Sequence, residues 1–254
     1  MAEMIDAHVH LPMGDGMDNR AAQRLRLLNE MRTNGISGCI VIADSETQSV
    51  IGTNEECIAL FAEDANVHVI AGISPDIDYV NQLAKCEGFL ADGSAIALKL
   101  FTGHEVFYLT DERLDAVYEL AERYGVPVMF HSGWENAQYG DAQYAAQVAG
   151  KRPGLKLVCC HCWYPQIEKC MPLTGLKNLY FDLSSVADDP AILPEISEQV
   201  RALIAAAPDR VLFGSDYSGC SMAAHLEFVS NLGLPKGTEE KVLSGNAKTL
   251  YRIG

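Results

Sequence analysis

Basic residues are in short supply. The 254-residue chain has 19 Lys and Arg against 34 Asp and Glu, a formal charge of −15. That sign repels phosphate backbones and anionic headgroups, so neither nucleic acid nor a membrane is expected as a partner, and the acidic excess reads as a solvated surface. Long apolar runs are missing as well. None approaches the ~20 residues of a membrane-spanning helix, and Glu3 and Asp6 stand where a secretory leader would be basic. A cytoplasmic location is expected. Cysteine is sparse for this length, and the crowding of Cys159, Cys160 and Cys162 suits neither a disulfide framework nor a C-x-x-C zinc pair, which leaves reduced, mostly buried thiols. The dinucleotide fingerprint G-x-G-x-x-G is absent from the first junction, His10-Leu-Pro-Met-Gly-Asp-Gly, so Gly14 and Gly16 read as a loop. No linker, charge block or low-complexity tract divides the chain, which is read as one domain over residues 1–254.

What is present is apolar material for one sizeable core, 48% hydrophobic residues against 21% charged. Eight short β-branched or apolar runs recur at nearly even intervals: Met4 to Leu11, Gly38 to Asp44, Val67 to Ser74, Ala95 to Phe101, Pro127 to Ser132, Leu157 to Cys162, Leu179 to Ser185 and Arg210 to Asp216. Helical spacing lies between them. Leu114, Val117, Ala121 and Tyr124 share a face, with Thr110 as N-cap and Gly125 as stop; Ile192, Ile196, Val200 and Leu203 repeat the pattern after Asp189 and Pro190 as N-cap and N1. Strand and helix alternating eight times at this length predicts an α/β fold, a single (β/α)8 TIM barrel, with an open doubly wound sheet as the runner-up.

Alternate strand residues share a face, so His8 and His10 point into the barrel mouth together, with Ala7, Val9 and Leu11 toward the helices. Lys99, His131, His161 and Asp216 end four further strands, and the C-terminal face of a barrel gathers such residues into one site. Parity agrees. An inward Lys99 places small Ala97 and Ala95 beneath it, and an inward Asp216 shares its face with Gly214 and Leu212. Several imidazoles with one carboxylate form a divalent-cation donor set, with zinc expected ahead of manganese or iron and one or two ions per site. Cys160 and Cys162 flank His161 with outward parity and are expected to pack against helices. Asp182 reads either as a carboxylate orienting a ligating histidine or as part of a local buried network. His104, Trp134, Glu135, Tyr164 and Tyr217 follow strands and are candidates to line the mouth; His68 opens its strand at the far end, and His225 falls in a helix away from the site.

These residues lie in stretches that resemble the amidohydrolase superfamily, and more narrowly its amidohydrolase-related branch of metal-dependent hydrolases and aminocarboxymuconate-semialdehyde decarboxylase-like proteins. The stretches are Ile5-Asp-Ala-His-Val-His-Leu, Ala97-Leu-Lys-Leu, Val126-Pro-Val-Met-Phe-His-Ser-Gly, Leu157-Val-Cys-Cys-His-Cys, Val211-Leu-Phe-Gly-Ser-Asp and Leu243-Ser-Gly-Asn-Ala-Lys-Thr-Leu-Tyr, spread over the whole chain. The resemblance implies His8, His10, His131 and Asp216 as metal ligands, with His161 as the sixth-strand histidine and a further ligand. It also implies Asp216 as the proton-handling group, and Lys99 either carboxylated between two ions or unmodified and paired with Asp216 or a substrate carboxylate. A cation there would lower the pKa of a water toward ~7, while His161 or Lys99 would steady charge on a carbonyl oxygen. The expected function is metal-dependent hydrolysis of a C–N or C–O bond (amide, lactone or ester) in a small molecule. The alternative is a metal-dependent carboxy-lyase acting on an aromatic or dienoic acid. The chain is short for decarboxylases of this branch and shows no inserted lid, which favours hydrolysis. A noncatalytic metal-binding barrel is the reading from another class, and the sequence leaves a homo-oligomer open.

Overall fold

The computed structural model describes residues 3–14, 19–134 and 138–254, so Gly16 and Glu135 lie outside the described residues. Eight strands, β1 (Ile5–Val9), β2 (Gly38–Ile42), β3 (Val67–Gly72), β4 (Ala97–Leu100), β5 (Val128–Phe130), β6 (Leu157–Cys159), β7 (Leu179–Asp182) and β8 (Val211–Leu212), form one sheet in chain order. Each pairs in parallel with the next. Between and after them run α1 (Arg20–Thr33), α2 (Asn54–Phe61), α3 (Tyr79–Asp92), α4 (Asp115–Tyr124), α5 (Ala142–Lys151), α6 (Leu193–Ala206), α7 (Met222–Asn231), α8 (Lys236–Glu240) and α9 (Asn246–Tyr251). This is the (β/α)8 barrel expected from the alternation.

Local chemistry sets the helix ends. Thr53 and Glu56 form a reciprocal capping box on α2, and Asn19 accepts from Ala22 N at the start of α1. Gly125 stops α4 with φ +65°, as expected. Two caps differ from expectation. Asp111, not Thr110, accepts the first free amide, through a 3-10 turn over Glu112–Leu114 that leads into α4. Helix α6 begins at Leu193 with Pro194 in its first turn, because Asp189 instead closes a tight turn by accepting from Ala191 N.

Two apolar layers result. The outer one, between strands and helices, includes Val9, Leu11, Val41, Leu98, Phe130 and Phe213; the inner one fills the barrel with Ile5, Ala7, Ile40, Ile42, Ile70, Ala97, Met129, Val158 and Leu212. Each fully buried Ile contributes about 1.5–3 kcal/mol. Leu250 and Tyr251 of α9 join the inner layer and floor the barrel at the N-terminal ends of the strands. His68 stands at that end, beside a cleft of about 380 Å³ shared with Glu3 and Arg252.

Strand β1 carries the feature that shapes the site. Asp6 pairs with Cys39 but Val9 with Val41, so one extra residue is inserted between them. The bulge puts Ala7 with Ile5 in the interior, where simple alternation would send Ala7 toward the helices, and still leaves Val9 outside. Closure between β8 and β1 rests on few backbone bonds: Ala7 N to Phe213 O and Asp216 N to His8 O, both 2.9 Å, and His10 N to Tyr217 O.

Candidate metal centre

The bulge leaves His8 and His10 together at the C-terminal end of β1, with ring centroids 5.3 Å apart. Each imidazole has one nitrogen committed elsewhere. His8 Nδ1 lies 2.5 Å from Asp182 Oδ2, and Ser184 Oγ donates to that same oxygen at 2.9 Å. His10 Nδ1 donates to Ile42 O at 3.2 Å; His161 Nδ1 meets Ser184 Oγ at 2.8 Å. Partners on Nδ1 fix the tautomer and leave Nε2 to face the site. His8 Nε2 is buried and has no hydrogen-bond partner among the described residues. It stands 3.3 Å from Asp216 Oδ1, out of line for a hydrogen bond, while His10 Nε2 is 3.4 Å from that oxygen. Ser185 Oγ donates to the other oxygen, Asp216 Oδ2, at 2.6 Å.

Among the described residues, two sets of three donors lie within 4.8 Å of one another, His8 with His10 and Asp216, and His8 with Cys160 and His161. His131 belongs to neither set; its ring is 4.9 Å from that of His161 and 4.1 Å from that of His104. Trp134 stacks over His131 and meets His161 and Tyr164, so three of the mouth candidates, His104, Trp134 and Tyr164, adjoin the imidazoles. Tyr217 faces Arg26, and His225 is buried in α7, accepting from Ala187 N.

Lys99 is inward and 1% exposed, and its Nζ donates to Cys160 Sγ at 2.8 Å. Two expectations change here. Lys99 is paired with a thiol and not with Asp216, and Cys160 points into the barrel rather than toward the helices. The reason is local: β6 ends at Cys159, and His161, Cys162 and Trp163 take left-handed backbone, φ +61°, +51° and +56°, so alternation stops before His161 and both Cys160 and His161 face inward. Cys162 does pack outward. Ala95, which precedes β4, also lies in the outer layer.

Asp216 and Ser185 share the left-handed conformation, φ +62° and +60°. Such residues cost on the order of 1–3 kcal/mol each, and their concentration at the strand ends marks a place where geometry is held against local preference. Gly214 has the opposite role. A Cβ there would lie 2.9 Å from His8 Cβ and closer still to Asp182 Oδ1, so only glycine lets the carboxylate reach His8.

The electrostatics follow from burial. Desolvation lowers His161 to about 3 and His131 well below the usual imidazole range, so both are neutral near pH 7. Burial works to raise Asp216, but the adjoining imidazoles of His10, His8 and His161 outweigh it and hold the carboxyl well below the usual range. The cluster offers neutral nitrogens and an ionised carboxylate. Sequence reading overlooked the hydroxyls of Ser184 and Ser185; the run Leu183-Ser-Ser at the end of the seventh predicted strand was the available signal.

A parallel eight-stranded barrel with converging imidazoles and a carboxylate at the C-terminal strand ends is an enzyme architecture. The amidohydrolase family model matches residues 5–253, and the chain belongs to that family. Among solved structures, an uncharacterized TIM-barrel protein from Bordetella bronchiseptica is 21% identical, with 98% of each chain covered and a TM-score of 0.79. A dihydroxybenzoic acid decarboxylase from Polaromonas, with bound manganese and the inhibitor 2-nitroresorcinol, is 15% identical over 99% of this chain and 97% of its own, TM-score 0.71. A probable 2-pyrone-4,6-dicarboxylic acid hydrolase from Acinetobacter baumannii with bound citric acid is 13% identical over 100% of both chains, TM-score 0.70. A comparison with curated protein sequences finds no match. These likenesses bear on the fold.

Proposed function

We propose that the protein is a metal-dependent hydrolase that cleaves a C–N or C–O bond, an amide, lactone or ester, in a small molecule. The observation that carries the reading is the His8 ring nitrogen Nε2, buried and unpartnered, facing His10 Nε2 and Asp216 Oδ1. A buried polar atom left unsatisfied costs about 1–3 kcal/mol, and neutral imidazoles beside an ionised carboxylate are the donor chemistry of a divalent-cation site. His8, His10 and Asp216 would hold the ion, with His131 and His161 as neighbouring ligands. Zinc suits the nitrogen-rich set; manganese, present in the Polaromonas decarboxylase, suits the carboxylate. The Lys99 bond to Cys160 favours an unmodified ammonium and therefore a single ion.

A cation held there supplies Lewis acidity toward a substrate carbonyl and makes water nucleophilic near neutral pH. The side chains do the rest. Asp216, ionised, accepts a proton from the attacking water and returns it to the leaving group, while Ser185 Oγ keeps the carboxylate turned. Lys99 steadies charge on the carbonyl oxygen, and Trp134 with His104 screens the imidazoles from bulk water.

A carboxy-lyase acting on an aromatic or dienoic acid is the second reading, favoured by the full-length likeness to a decarboxylase fold. Against it, neutral His161 and ionised Asp216 act as bases near pH 7 and have no proton to give to carbon. The test is metal analysis of protein purified with metal present, followed by amide, lactone, ester and aromatic-acid substrates assayed for hydrolysis product and carbon dioxide in parallel. Less than about half an equivalent of metal per chain refutes the metal-dependent reading. Carbon dioxide release without hydrolysis selects the lyase.

A further inference from the structure

We propose that Cys160, with His8 and His161, forms a second cation position in the same barrel, one that draws thiophilic divalent ions such as cadmium or zinc away from His10 and Asp216. The inference rests on the metal-centre reading above and deepens it. Cys160 Sγ and one nitrogen each of His8 and His161 lie within 4.8 Å of one another, and all three residues are buried. His8 is fully buried, and its Nε2 is the unpartnered atom.

The hydrogen bonding of Cys160 sets it apart. Cys57, Cys86, Cys159, Cys162 and Cys170 each donate to a backbone carbonyl. Cys160 instead accepts, from the Lys99 ammonium at 2.8 Å, so its sulfur faces the imidazoles with a cation already beside it. The thiolate is the form that ligates, so an ion seated beside this sulfur takes the place of the thiol proton.

Because His8 is common to both donor sets, an ion in one competes for its ring with an ion in the other. Hard manganese is held by the set that contains the Asp216 carboxylate; softer ions gain the sulfur of the deeper set. On binding, the S–H bond breaks, a sulfur–metal bond forms and the thiol proton leaves to solvent. The identity of the ion thereby selects its position, and a thiophilic ion is drawn off the proton-handling carboxylate. Cadmium should inhibit the manganese form by displacement.

The test uses the full chain stripped of metal and titrated with cadmium or manganese. The expected results are ultraviolet thiolate-to-cadmium charge transfer saturating at one equivalent, lost in Cys160→Ser and retained in Cys220→Ser, which controls for the half-buried thiol near the mouth. Cadmium affinity should fall ~10-fold or more in Cys160→Ser while manganese affinity, read by electron paramagnetic resonance, changes less than ~3-fold. X-ray absorption at the cadmium edge of the unaltered protein should show one sulfur neighbour, a readout independent of how either variant folds. No sulfur neighbour, or charge transfer that survives Cys160→Ser, overturns the proposal. Manganese binding without cadmium–sulfur charge transfer refutes this inference alone; absence of binding by either ion refutes the metal-centre reading beneath it.

Discussion

Gly214→Ala tests whether the site depends on close approach rather than on its donors alone. The added methyl would meet His8 Cβ at 2.9 Å and press harder on Asp182 Oδ1, and both neighbours are fully buried with no room to retreat. Overpacking of this kind costs about 1–3 kcal/mol, which for a chain of this size is a fall of roughly 2–12 °C in Tm. The more specific consequence is at the site. Relief of the clash moves Asp182 off His8 Nδ1, freeing the ring to turn, and loss of such an orienting partner lowers metal affinity about 10- to 100-fold. Calorimetric metal titration and thermal denaturation of the stripped protein measure both effects. Gly88→Ala is the control: Gly88 is exposed in α3 with nothing near its would-be Cβ, so alanine should stabilise by about 0.5–1 kcal/mol and leave metal binding alone. If Gly214→Ala keeps both Tm and metal affinity, the crowding argument is wrong.

Asp182→Asn should retain the fold but weaken metal binding about 10-fold or more, as an amide holds His8 Nδ1 less firmly; unchanged affinity would show that Asp182 only satisfies a buried network. Ser185→Ala removes the donor to Asp216 Oδ2 and should lower kcat more than it raises KM, by about 10-fold, with the acid limb of the pH–rate profile displaced upward; an unchanged profile would deny Ser185 a positioning role. Asp216→Asn should abolish most turnover under either enzymatic reading, whereas a noncatalytic barrel would have no turnover to lose. Stability of the metal-free protein should fall as pH drops below about 6.5, because unfolded histidines take up protons there while burial keeps His8, His131 and His161 neutral in the fold. Each such group removes up to about 1.4 kcal/mol per pH unit. Asp6, raised by burial to about 7, acts in the opposite sense: its contribution is complete below the unfolded pKa and is lost as pH rises through about 7. Three imidazoles outweigh one carboxyl, so a denaturation midpoint that stays level from pH 6.5 to 5 would contradict the burial argument.

Much of this was legible in the sequence because a barrel repeats one instruction. Eight apolar runs with helical spacing between them set the topology, and period-two alternation placed Lys99 over Ala97 and Asp216 over Leu212 in the interior. Alternation misled wherever the backbone left the regular strand. The inserted residue in β1 turned Ala7 inward without a Gly or Pro to announce it, and the left-handed residues from His161 onward ended the count that had sent Cys160 outward. Residue type pointed to His8, His10, His161 and Asp216 as neighbours, and the structure brings their side chains together; His131 stands one ring further off. The bonds that orient them, from Asp182, Ser184 and Ser185, arise between distant strands and have no local signature in the chain.

The thin join between the first and last strands has a kinetic consequence. Few backbone bonds hold β1 to the segment after β8, yet His8 and His10 stand on one side of that seam and Asp216 on the other. An ion shared among them would act as a rivet across the line where the cylinder opens first. Chelation should therefore accelerate global unfolding more than it slows refolding, and the metal-free protein should become easier prey for proteases along this one edge while the other seven strand pairs hold.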